Sequence, residues 1–223
     1  MSAPIQTHPV PHAGRPYSRA ELVSDAVVHM AGLVLALGAV PVLITLTAMW
    51  QNGLIGTLGV SVYGTTLIAM LTSSLIYNHL PAPDWHDLLR RVDHSAIYLK
   101  IAGTYTPFAL LSGRGLVILA IVWVAAVLAT AASFLVRNRA TWVSVLICLG
   151  MGWAVVVGGW DLLAVVSTPV KVLMVVGGVL YSAGSAFLLL HRLRFHNTIW
   201  HGFVVTASVL FFVAIFLHAA SPA

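Results

Sequence analysis

Four groups of polar side chains interrupt an otherwise apolar chain. Asp25 and His29 are four residues apart. Ser74 and Asn78 are four apart, with His79 next. Asp93 and His94 are neighbours. His196, Asn197 and His201 form the last group, and the final two are again four apart. A spacing of four puts two side chains on one helix face. Ionisable groups within an apolar helix are expensive, so each is a functional candidate. Together they make a site that binds something polar, or a set of ties between helices. Each also has a plainer reading. Asp25 would favour a helix N-terminus through the dipole. Asp93 and Asn197 would cap helices, and His79 would sit in a loop.

The elements that carry these groups are membrane spans. The chain has 223 residues, of which 60% are apolar and only 8% charged. Soluble domains carry roughly a quarter charged residues. This composition excludes an ordinary soluble enzyme, a disordered chain and a nucleic-acid binder, and the expected surroundings are a lipid bilayer. The net charge of +5 reflects a shortage of acids. The single Cys148 excludes an internal disulfide, and no disulfide-linked partner is expected. Nothing in the sequence sets an oligomeric state.

Residues 1–20 lack the apolar core of a secretory signal and read as a flexible cytoplasmic arm. Residues 21–223 read as one all-α domain of seven transmembrane helices. The runs are Leu22–Trp50, Gly53–Tyr77, His94–Leu111, Gly115–Val136, Thr141–Val165, Thr168–Leu190 and Thr198–His218. Most reach the roughly 20 residues that a span needs. Arginines then orient the bundle. Arg15, Arg19, Arg90, Arg91, Arg137, Arg139, Arg192 and Arg194 fall on one side, against Arg114 and Lys171 on the other. The rule that positive charge stays inside makes the N-terminus cytoplasmic and the C-terminus external. All four polar groups then lie at cytoplasmic helix ends, at one depth. Lys100 lies about two turns beyond Asp93 on the same face. It either snorkels to an interface or lowers the cost of a buried acid.

The stretches Ser73-Ser74-Leu75-Ile76-Tyr77, Leu89-Arg90-Arg91-Val92-Asp93-His94-Ser95-Ala96-Ile97-Tyr98, Ile101-Ala102-Gly103-Thr104-Tyr105-Thr106-Pro107-Phe108 and Ile199-Trp200-His201-Gly202-Phe203-Val204 resemble the hemolysin III family. These are seven-helix membrane proteins related to progestin and adipoQ receptors and to alkaline ceramidases. The resemblance covers essentially the whole chain. It implies a bacterial plasma-membrane protein with a zinc ion near the cytoplasmic face and hydrolysis of lipid amides. The family pattern pairs a serine with a histidine four later in span two. It adds an aspartate in span three and His-x-x-x-His in span seven. Ser74, Asp93 and His201 match, whereas Asn78 and Asn197 stand where two histidines belong.

The resemblance therefore implies zinc held by His201 with the neighbouring His79 and His196, and water in the fourth position. Asp93 would take the water's proton, and Ser74 would bond the water or the oxyanion. Asn78, Asn197, Asp25, His29 and His94 would line the site, with Asp25 and His29 only supporting the ligands from behind. A lipid-binding receptor or sensor without turnover is the alternative. A pore-forming cytolysin is what the family name implies. The sequence offers no ring of like charges and no polar stripe through the bundle for a pore.

Overall fold

The computed structural model describes residues 17–51, 53–136 and 140–221. Residues 1–16 of the arm expected over residues 1–20, together with Arg137 and Arg139 of the orientation argument, lie outside the described residues, and Arg19 and Ala20 already belong to the first helix. Those described form helices α1 (Arg19–Gln51), α2 (Leu54–His79), α3 (His86–Ser112), α4 (Leu116–Leu135), α5 (Thr141–Gly158), α6 (Trp160–Val165), α7 (Thr168–Leu189) and α8 (His196–Ala220), with no strand among them. Six of the seven long helices are apolar and long enough to cross a membrane. Their outward side chains are those of a lipid-facing surface, among them Val34, Val117, Leu128 and Val157, all more than half exposed. The chain is an all-α, multi-pass membrane protein.

The seventh long helix, α3, is the least apolar and occupies the middle. It packs against α2, α4, α5, α6 and α8. Its buried residues run almost without a gap from Ala102 to Ala109. A helix surrounded by other helices needs no apolar outer face. That is how α3 can carry Asp93, Lys100, Thr104 and Thr106, all buried.

Two boundaries differ from the sequence reading. Pro83-Asp84-Trp85 forms a 3-10 turn that leads directly into α3 at His86. Asp93 therefore lies two turns inside α3 and is not its cap. The fifth run breaks at Gly159, so α6 is a separate short helix. Asp161 on α6 explains the break. Its Oδ2 accepts a hydrogen bond from the Gly115 N–H at 3.0 Å, and its Oδ1 accepts the Leu162 N–H at 2.9 Å. Gly115 has φ +71°, and a Cβ there would lie 2.9 Å from Leu162 Cβ. Only glycine suits that junction without strain.

The α1 helix begins with a reciprocal cap of Ser18 and Glu21. Glu21 Oε2 accepts from the Ser18 N–H and hydroxyl at 2.9 and 2.7 Å, while Ser18 Oγ accepts the Glu21 N–H at 3.3 Å. The second Glu21 oxygen, Oε1, accepts the Phe195 N–H at 3.0 Å. Phe195 precedes α8 with φ 59°, the one non-glycine residue in the left-handed region among the described residues. One carboxylate thus starts α1 and fixes the entry to α8. The buried stripe of α1 then continues through Asp25, His29, Gly32, Ala36 and Val40.

Candidate functional site

The contact between α1 and α8 sets the site. A Cβ on Gly32 would sit 2.7 Å from Val205 Cγ2, so the two helices approach closely one turn beyond His29. That approach brings Asp25 and His29 to His201. Asp25 Oδ1 accepts a hydrogen bond from His201 Nδ1 at 2.7 Å. Asp25 Oδ2 is 3.1 Å from His79 Nε2 and 3.5 Å from His29 Nδ1. One buried carboxylate therefore faces three imidazoles. The His29 and His201 rings are 4.0 Å apart between centroids, and those of His29 and His79 are 5.3 Å apart.

The tautomers follow from these partners. His29 Nδ1 is 2.9 Å from the Asp25 carbonyl oxygen. A carbonyl only accepts, so Nδ1 carries the proton and Nε2 of the neutral ring carries a lone pair. His201 likewise donates Nδ1–H to Asp25, which leaves its Nε2 basic. Imidazoles that bind metals characteristically anchor the other ring N–H on a carboxylate or backbone carbonyl.

Ser74 is the second junction. Its Oγ is 3.1 Å from His29 Nε2, and the Asp93 carboxyl faces it from the other side. A hydroxyl has one proton, and here two acceptors call on it. One buried atom beside it, Asp93 Oδ1, has no hydrogen-bond partner. A cation on the His29 lone pair would release the serine proton to Asp93. Asp25, His29 and His201 each offer a ligand atom, all within 4.8 Å of one another. With both Nδ1 atoms bonded to Asp25, the Nε2 atoms of His29 and His201 are two free imidazole ligands and Asp25 is the carboxylate that orients them. The residues fit a metal.

The remaining expected site residues are placed as follows. Asn78 Nδ2 donates to the Ser74 carbonyl at 2.9 Å and so secures the end of α2. His79 closes α2 at the edge of the cluster. His196 is turned elsewhere: its Nε2 is 3.0 Å from Tyr17 Oη, and its ring stands 5.5 Å from that of His191. Five helical residues separate it from His201, a rotation of about 140° beyond one full turn. Asn197 is the second residue of α8, not its cap. With His94 and Asn78 it lines a small vestibule of about 110 Å³ that also borders Asp25, Asp93 and His201.

Asp93, His94 and His201 line a second, larger cavity of about 590 Å³ as well. This cavity runs between α3, α5, α7 and α8. It is bordered by Ser74 and His29 at one end and by Leu162, Trp160 and Lys171 at the other. The cluster thus sits where a polar vestibule meets a long apolar chamber. Sequence reasoning gave Asp25 a supporting place, whereas the fold makes it the hub. The available signal was the spacing Glu21, Asp25, His29, which continues the apolar stripe of α1 with polar residues.

A family model described as haemolysin-III related matches residues 19–212. The chain is 32% identical to a hemolysin-3 homolog of Bacillus subtilis (strain 168) over 206 residues, 91% of this chain and 96% of that protein. It is also 32% identical to the hemolysin-3 of Bacillus cereus over 206 residues, covering 91% and 94% of the two chains. Both matches extend over the helices that build the Asp25 cluster, and on this evidence the chain belongs to the haemolysin III family.

Proposed function

We propose that the chain is a zinc-dependent hydrolase of lipid amides in a bacterial plasma membrane. The observation that carries this reading is a metal-capable cluster at the junction of a polar vestibule and an apolar chamber. A lipid amide has the same division: a polar head, a scissile carbonyl and a long chain. The head would occupy the vestibule and the chain the chamber, whose volume is within the range of ordinary ligand sites.

His29 and His201 would hold the metal through Nε2, with Asp25 orienting both rings from their Nδ1 side and His79 at the edge. Zinc, when bound, supplies a Lewis acid and lowers the pKa of water toward about 7. Asp93 Oδ1, buried and without a hydrogen-bond partner, takes the proton of the attacking water. The same oxygen returns it to the departing amine nitrogen as the C–N bond breaks. Ser74 Oγ–H stabilises the charge that develops on the carbonyl oxygen. Asn78 holds the Ser74 carbonyl and keeps that end of α2 in place.

The test is metal content and turnover on the full-length protein purified in mild detergent. About one zinc per chain is expected, lost in His201→Ala. Hydrolysis of an N-acyl sphingoid amide should disappear in Asp93→Ala with the metal retained. Absence of zinc from the wild-type protein overturns the hydrolase. One feature favours a second reading, a lipid-binding receptor without turnover: Asn78 and Asn197 occupy positions where the family pattern has histidines. That reading expects lipid binding unaffected by chelators. The cytolytic reading has less support, because Val155, Val156, Leu162 and Met174 make the far part of the chamber apolar.

A further inference from the structure

The larger cavity contains a charge that the proposed chemistry leaves unused. Lys100 lines it and is 3% exposed. Its ammonium donates a hydrogen bond to the Tyr181 hydroxyl, which lies 2.7 Å from Ser208 Oγ. Nζ stands 4.3 Å from the centre of the Tyr181 ring and 5.3 Å from that of Phe211. Among the described residues it has no carboxylate partner. Snorkelling, the first expectation, does not occur. Nor does Lys100 pair with Asp93, which lies seven residues away, about 10 Å along the helix axis.

A buried ammonium has three donors, and one hydrogen bond with two ring faces satisfies it only in part. Ring faces attract a cation without neutralising it. An ionised group in such surroundings is expensive unless an anion pairs with it. The cavity supplies the room for one. Beyond Lys100 its walls are Val155, Val156, Leu162, Met174 and Val175. They offer an apolar chain a place, and the next charge, Lys171, stands at the far end with Trp160. The ligand that satisfies both parts has one anionic head and a long apolar tail. One ammonium flanked by hydroxyls suits a single carboxylate. A phosphate group typically draws on arginine forks or several backbone amides.

We propose that Lys100 anchors a binding site for long-chain carboxylates, with the head at its ammonium and the tail in the apolar end of the cavity. The site is separate from the Asp25 cluster and does not depend on metal or turnover. It would hold a free fatty acid drawn from the bilayer or the acid released by amide cleavage, since both present the same group.

Dodecanoate and dodecanol are matched probes that differ in the head alone. Their binding is measured by calorimetry on the full-length protein in mild detergent, stripped with a chelator so that no metal can hold the carboxylate. The wild type should prefer dodecanoate by at least about tenfold. Lys100→Met should abolish that preference while leaving dodecanol binding intact, which shows that the cavity persists. Tyr181→Phe should weaken the preference less, and Lys100→Arg should keep part of it. Equal affinity for the two probes in the wild type overturns the proposal, whether or not the variants fold. So does an undiminished preference in Lys100→Met. A zinc-free, inactive protein that still prefers dodecanoate would remove the hydrolase reading and keep this one. Adding dodecanoate or the intact amide to active enzyme separates the two sources. Inhibition by the free acid in the wild type and not in Lys100→Met marks product occupancy.

Discussion

Asp25 is where the chemistry of single residues is decided. Its carboxylate anchors His201 at 2.7 Å and faces His79 and His29. Asp25→Asn preserves shape but removes the charge and one acceptor oxygen. A partner that orients a metal-binding imidazole is commonly worth 10–100-fold in metal affinity. Asp25→Asn should therefore weaken zinc binding by at least about tenfold, read by competition with a chromophoric chelator. His196→Ala should leave the same titration unchanged, because His196 faces Tyr17 and His191. A loss of zinc in His196→Ala with Asp25→Asn unaffected would assign the ligands the other way. That Ser74, Asp93 and His201 fall at one place was legible before the fold, because their motifs are contiguous and share one depth. The hub role of Asp25 was not. Its partner His201 is 176 positions away, and a one-helix spacing cannot report what packs against it.

The decisive contact between elements is that of α1 with α8. Gly32 permits it, and Glu21 fixes its end. Gly32→Val places a side chain where Val205 already stands. Overpacking of this kind costs about 1–3 kcal/mol, and here it also separates Asp25 from His201. The expected result is a lower thermal midpoint together with reduced zinc per chain. Gly38→Ala is the internal control, since a Cβ there meets nothing within 4 Å. It should leave zinc unchanged and raise helix stability by about 0.5–1 kcal/mol. An equal loss of zinc in both variants would detach metal binding from the α1–α8 approach. Element positions were largely legible, because runs of apolar residues bounded by Gly, Pro and Arg are a strong signal. The start of α3 at His86 was missed because its first two turns are polar. Hydropathy finds helices that face lipid, and α3 faces other helices. The division of the fifth run at Gly159 was missed because the residues around it are apolar and the bond that sets it, from Asp161 to Gly115, is long-range.

For the whole molecule, the governing quantity is the direction in which the site opens. The Asp25 cluster and its vestibule lie at the end of the bundle that contains the start of α1, the end of α2 and the starts of α3 and α8. Arg19, Arg90, Arg91, Arg192 and Arg194 flank that same end. Charge bias sets orientation through flanking arginines and lysines, not through net charge. By that bias the vestibule is expected to face the cytoplasm, and the tail end of the large cavity the opposite surface. An odd number of crossings places the C-terminus across the membrane from Arg19. Alkaline phosphatase fused after Ala220 should be active and a fluorescent protein at the same place dark, since the first matures outside and the second inside. The reverse pattern would open the polar site to the exterior. The water, head group and released amine would then come from and leave to the outer side, and a cytoplasmic lipid amide would no longer be the natural substrate. Adding arginines beside Leu116 gives the same test from the other direction. Topology should weaken or invert as the external end gains positive charge, and the cluster should then lose its cytoplasmic access even with every ligand intact.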